Sequence, residues 1–163
     1  ATLIVDIGAG RATIAIWNGT TIIHSGSSQT SGVQLTAALQ EALKIDVPTA
    51  EEMKRTFGMQ NPTSKPYEDI IQYYAKRLSD DIMRDISHYL EQDPNNPAIS
   101  EIILSGGGAG LKGLTQALQN NLKIKVSLGN PWINFQGTAT REITDIMSAR
   151  FATVIGLALY QYI

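Results

Sequence analysis

The sequence Ile-Ile-Leu-Ser-Gly-Gly-Gly-Ala-Gly-Leu-Lys-Gly-Leu, residues 102–114, contains the junction on which the interpretation of the whole chain depends. An apolar run leads into four glycines within five positions, and apolar residues at helical spacing follow. Because glycine takes positive φ freely and lets another group approach the backbone, this junction predicts a buried strand, a tight turn and a helix start. Such a unit commonly cradles a nucleotide, and from this stretch alone a purely structural turn is an equal alternative.

The glycines of this turn follow neither of the two common phosphate-binding patterns. They are not spaced as G-x-G-x-x-G, and no acidic residue follows at the Rossmann distance of about 20 residues. No Gly-Lys-Ser or Gly-Lys-Thr completes a P-loop either. A nucleotide site at this turn therefore requires a different fold.

Length and composition are typical of a single globular domain. The chain has 163 residues, of which 43% are hydrophobic and 17% are charged. A net charge of -2 gives no electrostatic reason to expect nucleic acid or an anionic membrane as a partner. The absence of cysteine excludes disulfides and thiolate chemistry, and two isolated histidines do not make a zinc site.

The sequence also bears on where the protein is found. It has no signal peptide and no run of about 18 apolar residues, so we expect a cytoplasmic protein without direct membrane insertion. The chain begins at Ala1 inside a predicted strand, which we interpret as the start of a piece of a longer protein.

The segments near the N-terminus predict an antiparallel meander and a helix. Residues 2–6 form an apolar run that ends in an acid, which predicts a buried strand. Asn18-Gly19 is a strong hairpin signal between strands at 12–17 and 20–25. After a polar loop, leucines recur at helical spacing and predict a helix that ends near Lys44.

Two further helices are predicted before the glycine turn. Thr49 to Glu52 fits a capping box, in which each of these two side chains binds the other's backbone amide, so a short helix is expected from Thr49 until Gly58. From Pro66 onward, apolar residues recur at helical spacing opposite a charged face and predict a long helix. We interpret residues 49–92 as a helical insertion or subdomain.

The C-terminal part predicts parallel β-α units. A strand, a leucine-patterned helix and a short strand form one β-α-β unit at residues 99–104, 111–122 and 125–128. A loop and one last apolar helix, at 143–163, complete the chain. The order β-β-β-α-(α-α)-β-α-β-α predicts a single α/β domain over residues 1–163, with a mixed sheet and helices on both faces.

Several short patterns occur in a fixed order along almost the whole chain. They are Val5-Asp6-Ile7-Gly8; Ala50-Glu51-Glu52 with Lys54-Arg55-Thr56 and Gly58-Met59; Leu104 to Ala109 with Leu111 and Gly113-Leu114; Asn130-Pro131-Trp132; and Phe151-Ala152 with residues 155–159. Each is weak alone, but their joint order resembles the PilM family of type IV pilus assembly proteins, within the actin-like ATPase superfamily. The resemblance implies a ribonuclease H-like fold and covers only the second of the family's two lobes.

The resemblance implies a site for ATP or ADP with magnesium. In that family the Asp-x-Gly hairpin is the second phosphate loop, which implies Asp6 near magnesium through water and the Gly8 and Gly10 amides at the β- and γ-phosphates. This agrees with the preference of magnesium for carboxylate oxygens and water, and with phosphate binding by turn amides. Arg11 stands where many superfamily members have a small hydroxyl residue, and it either adds phosphate affinity or points to solvent.

The adenosine side of the same site is implied by two other segments. Glu51, Lys54 and Arg55 share one helical face because they are spaced i, i+3 and i+4. Similar residues hold ribose and adenine in the superfamily, and a solvated charged patch is an equally good interpretation of them here. The turn at residues 106–108, with Gly106, Gly107 and Gly108, resembles the adenosine turn.

Catalysis is not expected from this chain alone. Arg11 and Gly110 both depart from the superfamily pattern in a way that argues against efficient hydrolysis. The first phosphate loop and the other side of the cleft are not in this sequence, so reacting groups are not positioned. We therefore expect weak nucleotide binding and no meaningful ATPase activity, and we assign no catalytic residue.

The resemblance also implies partners. The family binds the cytoplasmic tail of a PilN-like inner-membrane protein, which would recruit it to that membrane, but through a groove of the other lobe. The apolar last helix should pack on another lobe or on a second copy, giving a homodimer.

Other members of the fold remain as alternatives to this scaffold function. One is an FtsA-like division protein, and another is a sugar-kinase-type phosphotransferase, for which we find no catalytic Asp. A ribonuclease H-like nuclease is disfavoured because the strand before the glycine turn ends in Ser105-Gly106 rather than in an acid that could bind a metal.

Overall fold

The computed structural model describes residues 1–132 and 145–159, and in the second stretch it describes side chains from residue 148 onward. The strands are β1 (Thr2–Ile7), β2 (Ala12–Trp17), β3 (Ile22–Ser28), β4 (Glu101–Ser105) and β5 (Lys125–Leu128). They form one sheet in the order β3-β2-β1-β4-β5. The first three strands pair antiparallel, and β4 pairs parallel to both β1 and β5. The predicted meander with parallel β-α units is confirmed.

The helices lie between and after the strands. They are α1 (Gly32–Leu43), α2 (Val47–Phe57), α3 (Lys65–Gln92), α4 (Leu114–Leu122), α5 (Asp145–Arg150) and α6 (Ala152–Leu159). A single 3-10 turn, Gly107–Gly110, follows β4. Within the described residues, no helix is long and apolar enough to cross a membrane.

One face of the sheet and the long helix α3 share a single hydrophobic core. Side chains alternate along a strand, so β1 buries Leu3, Val5 and Ile7 completely on one face. On α3, residues at spacings of three and four are buried in the same core: Tyr67, Ile71, Tyr74, Leu78, Ile82, Ile86 and Tyr89. The core fixes the sheet edge at which the candidate site lies.

Strand β3 lies further along the chain than predicted. It begins at Ile22 and continues to Ser28, which pairs with Ala12, whereas the prediction placed it from Thr20 to Ser25. The extension is held by α3, because the Ser28 hydroxyl and the Thr30 hydroxyl, the latter at 2.9 Å, both donate to Asp81 Oδ2. These are contacts between distant segments, which local residue patterns do not show.

Helix α2 begins earlier than predicted, and the capping-box assignment is wrong. The N-cap is Asp46, whose Oδ1 accepts the Thr49 N–H at 2.9 Å, and Pro48 lies in the first turn. Proline suits that turn because the N–H it lacks has no intrahelical acceptor there. Glu52 is exposed rather than part of a cap. Gly58 ends the helix as expected.

The last predicted helix is two helices within the described residues. Helix α5 ends at Arg150 and α6 begins at Ala152. The Ala149 carbonyl accepts the N–H of Gly106 at 3.0 Å, and Phe151 N–H turns back to Ser148 O at 3.0 Å. The glycine turn thus uses the Ala149 carbonyl, which in a continuous helix would accept a backbone N–H of the next turn. The rest of the predicted loop and helix, at 133–144 and 160–163, lies outside the described residues.

Candidate functional site

A cavity of about 390 Å³ lies at the carboxyl ends of β1 and β4, a size within the roughly 300–1,000 Å³ of small-molecule sites. Three segments surround it: the turn after β1, the α1/α2 pair, and the glycine turn after β4. Its lining residues are Gly8, Ala9, Gly32, Val33, Leu35, Glu51, Lys54, Arg55, Tyr74, Gly107, Gly108, Gly110, Leu111 and Arg150. Three of them are basic and one is acidic, so the cavity favours an anion.

The turn after β1 is joined to the start of α1. Gly8 N–H donates to the Arg11 carbonyl at 2.9 Å and closes the turn. The Gly8 carbonyl accepts the Gly32 N–H at 3.3 Å, and the Ala9 carbonyl accepts the Val33 N–H at 3.0 Å. These first amides of α1 therefore bind the turn itself, so they position the turn rather than act as an anion site.

The α1/α2 wall is held together by a polar cluster of three side chains, Thr36, Glu51 and Lys54. Lys54 Nζ donates to Glu51 Oε1 at 2.6 Å, to Thr36 Oγ1 at 2.8 Å and to the Gly32 carbonyl at 3.1 Å. The Thr36 hydroxyl lies within hydrogen-bond reach of Glu51 Oε1 and of the Gly32 carbonyl. Because an ammonium group has three donors, all of those on Lys54 have protein acceptors.

The cluster fixes the charge of Glu51. Burial raises the pKa of this carboxyl, but hydrogen bonds from Lys54 and Thr36 and the charge of Arg55 outweigh burial and hold the pKa below its usual value. Glu51 is therefore ionised at neutral pH. In contrast, burial raises the pKa of Tyr74 to about 12, so its ring is a neutral part of the wall.

The glycine turn forms the opposite wall, and its glycines have different surroundings. A Cβ on Gly106, where φ is +82°, would lie 2.2 Å from Asp6 Oδ1 and 2.7 Å from the Ile7 carbonyl. A Cβ on Gly108 would lie 2.3 Å from Ile7 Cγ2. A Cβ on Gly107 would meet no atom within 4 Å, so this residue faces open space. Gly106 and Gly108 are thus needed for packing on β1.

The glycine turn is also fastened to the end of α2. Met59 N–H donates to the Lys112 carbonyl at 2.8 Å, and Lys112 Nζ donates to the Thr56 carbonyl at 2.8 Å. Gly58, where φ is +54°, allows this contact because a Cβ there would lie 2.6 Å from the Lys112 carbonyl oxygen. The two walls of the cavity are therefore joined at one end.

Two arginines present charges to the cavity. Arg55 has a 72% exposed side chain, and its Nε lies 3.8 Å from Glu51 Oε2. Arg150, at the end of α5, was not predicted from the sequence. Its position is set by the Gly106–Ala149 bond and by Trp132, whose Nε1 donates to the Ser148 hydroxyl at 3.0 Å. No spacing rule connects Arg150 with the other lining residues, so sequence reasoning had no signal for it.

The predicted site residues separate into two groups by position. Those that line the cavity are Gly8, Glu51, Lys54, Arg55, Gly107 and Gly108; those that do not are Asp6, Gly10, Arg11 and Gly106. Arg11 and Gly10 are exposed beside the turn. Their roles as ligand contacts stay predictions.

Asp6 lies near the C-terminal end of β1, next to Gly106 of the glycine turn. Its Oδ2 accepts a hydrogen bond from the Thr153 hydroxyl of α6 at 3.2 Å. Across residues 1–132 and 145–159, no three acidic, histidine or cysteine side chains are grouped so that they could hold a metal ion. The donor set therefore fits magnesium only as a water-mediated contact from one carboxylate, with the other ligands supplied by a nucleotide.

Comparison with known proteins fits this geometry. A family model described as type IV pilus assembly protein PilM matches residues 1–162. The chain belongs to this family. A solved PilM-PilN type IV pilus biogenesis complex has a chain that is 25% identical, with a TM-score of 0.81, over 98% of this chain and 45% of that chain.

Other relatives share the fold at lower identity. Cell division protein FtsA of Rhizobium meliloti (strain 1021) is 24% identical over 96% of this chain and 39% of its own length. MreB 5 of Spiroplasma citri, solved bound to AMPPNP, has a TM-score of 0.73 at 13% identity, over 99% of this chain and 52% of that chain. The fold is thus that of an actin-like lobe, and the chain spans less than half the length of the first relatives of each kind.

Proposed function

We propose that this chain is the nucleotide-binding lobe of a cytoplasmic, actin-like PilM protein that scaffolds type IV pilus assembly. The observation that carries the proposal is the basic cavity at the ends of β1 and β4, whose wall has bare backbone at Gly107. Membership of the PilM family supports the pilus function, and the AMPPNP bound to the MreB relative supports a nucleotide as ligand.

The proposed orientation of ATP or ADP rests on the open backbone of the glycine turn. Adenosine lies along the turn at Gly107, Gly108 and Gly110, in the cavity that Arg55 and Arg150 also line. The phosphates extend toward Gly8 and Ala9, where a magnesium ion would contact Asp6 through water. Lys54 does not reach the ligand, because its three donors hold the α1/α2 wall.

Nucleotide binding is tested with fluorescent mant-ADP and mant-ATP on the purified chain. We expect weak, saturable binding that Arg150→Ala weakens about five- to tenfold, the effect of losing one ordinary, partly solvated hydrogen bond. Lys125→Ala is the control, because Lys125 is 70% exposed on β5 and pairs with Glu101. Absence of binding, or binding that all variants share equally, contradicts the proposal.

The chain alone is expected not to hydrolyse ATP, because it supplies one wall of a cleft and leaves the reacting groups unpositioned. A single-turnover assay that shows hydrolysis above the buffer blank contradicts this part of the proposal. A positive binding result with no hydrolysis supports both parts together.

Two partners belong to the same proposal. A PilN-like cytoplasmic tail binds the whole protein and recruits it to the inner membrane, as suggested by the PilM-PilN complex among the similar structures.

The apolar helix α6 has no buried residue, and Val154 is 62% and Leu157 70% exposed, so it packs on another lobe or on a second copy. Sedimentation should show concentration-dependent association that Leu157→Lys abolishes; a monomer at high concentration argues against the second copy.

A further inference from the structure

A second cavity, of about 260 Å³, lies on the outer surface between α1 and α3. Buried Leu35 and Tyr74 with half-buried Ala38 and Ile70 provide its apolar lining. Tyr73 and Arg77, one helical turn apart on α3, are both exposed at this cavity. The cavity thus combines an apolar interior with one aromatic and one cationic side chain.

Tyr73 and Arg77 hold each other in place. The Arg77 guanidinium carbon lies 5.9 Å from the centroid of the Tyr73 ring, and Arg77 Nη1 donates to the Tyr73 hydroxyl at 3.3 Å. Tyr73 is 61% exposed, so its ring and the Arg77 guanidinium are both accessible to a ligand. A tethered guanidinium loses less entropy when a ligand binds it, so the pair is preorganised.

The charge of Arg77 is not neutralised as those of its neighbours are. On the same helix, Lys76 pairs with Asp80 at 2.7 Å and Arg84 pairs with Asp81 at 2.9 Å. Arg77 has no carboxylate within salt-bridge distance among the described residues. The Tyr73 hydroxyl and, more weakly, the charges of Asp81 and Asp80 still act on it and raise its pKa, so its donors are free of a direct carboxylate contact while its charge is partly balanced. Its planar fork of donors suits a carboxylate from outside the chain.

We propose that this groove binds a peptide segment of a partner protein that carries an acidic residue next to aliphatic residues. The carboxylate pairs with Arg77 while an aliphatic side chain enters the apolar interior beside Leu35, Ala38 and Ile70. Tyrosine and arginine are also the residues that most often anchor protein interfaces.

The proposal is tested by NMR with the 15N-labelled chain and two probes, acetyl-Glu-Leu-Leu-amide and acetyl-Gln-Leu-Leu-amide. We expect the acidic peptide to shift the amide signals of Ala38, Ile70 and Tyr73, which line only this cavity, and to bind several-fold more tightly than the neutral peptide. Arg77→Gln should remove that preference, and Tyr73→Ala should weaken the acidic peptide about threefold to tenfold.

The matched control is Lys76→Gln, which removes a neighbouring exposed cation that already has Asp80 as its partner. It should bind the acidic peptide as the unmodified chain does. Circular dichroism should be unchanged in all three variants because each side chain is exposed. Equal shifts from both peptides, shifts confined to other surfaces, an equal loss in Lys76→Gln, or no shifts at all would overturn the proposal. Since mant-nucleotide binding is measured separately, failure here leaves the proposed nucleotide function standing.

Discussion

The two walls of the larger cavity are built by opposite means. In the α1/α2 wall, Thr36, Glu51 and Lys54 satisfy one another's hydrogen bonds, so charged groups hold the wall. In the glycine-turn wall, Gly106 and Gly108 press against β1 because they have no side chain, and Gly107 faces open space. The glycines of one motif therefore divide between close packing and the open surface of the cavity, and only their surroundings show to which group each belongs.

The largest expected effect is in the glycine-turn wall. Gly106→Ala should lower the free energy of unfolding by about 3 kcal/mol, since it combines a strained positive φ with overpacking against Asp6 and Ile7. Gly107→Ala should change it by less than about 1 kcal/mol while weakening mant-ADP binding, because its new methyl group points into the cavity. Urea unfolding and the binding titration measure both. If the two variants lose equal stability, the proposed division of roles within the turn fails.

The α1/α2 wall is tested by removing its central hydroxyl. Thr36→Val keeps the shape but leaves Glu51 and Lys54 each short of a partner, so it should cost about 2 kcal/mol in urea unfolding. Thr36→Ser keeps the hydroxyl and loses only a methyl group, so it should cost about 1 kcal/mol. If Thr36→Val is as stable as the unmodified chain, the polar cluster makes no net contribution to the free energy of unfolding.

The smallest effect is the pH dependence of the same wall. The pKa of Glu51 is lower in the folded chain than its usual value of 4.5, so its stabilising contribution is present above that value and is lost as the pH falls through the folded pKa. The stability difference between the unmodified chain and Glu51→Gln should shrink on acidification, by under about 1 kcal/mol because the side chain is 31% exposed. Asp81, whose pKa is also lowered, is present in both proteins and cancels. A difference that grows toward low pH would contradict the assigned sign.

Periodic apolar patterns predicted most of the fold. Strand alternation in β1 and β2 and the helical spacing of α3 mark which faces are buried, and burial is what forms these elements. The predicted start of α2 was wrong because the sequence contains two helix-start patterns, a capping box at Thr49 and Asp46 followed by Pro48. The helix starts at the second of these, with Pro48 in its first turn. The break between α5 and α6 depends on a hydrogen bond from Gly106, which residue patterns within the helix cannot reveal.

The candidate site was predicted in outline but not in detail. The order of the motifs predicted that Gly8, Glu51 and Gly107 lie near one another, because Gly8 follows β1, Glu51 lies on α2 and Gly107 comes shortly after β4, and the fold determines where these elements lie. The engagement of Lys54 within the wall depends on Thr36 of α1, and the place of Arg150 depends on the docking of α5. Both arrangements depend on contacts between residues that are far apart in the sequence.

The bond between Lys112 and the end of α2 has a mechanical consequence. Gly58 and Met59 contact Lys112 directly. A Cβ on Gly113 would lie only 3.1 Å from Met59 Cβ, so the end of α2 and the glycine turn pack closely as one unit. The hydrogen bonds and close packing at this junction link the positions of the two cavity walls, so a displacement of one wall is expected to move the other with it.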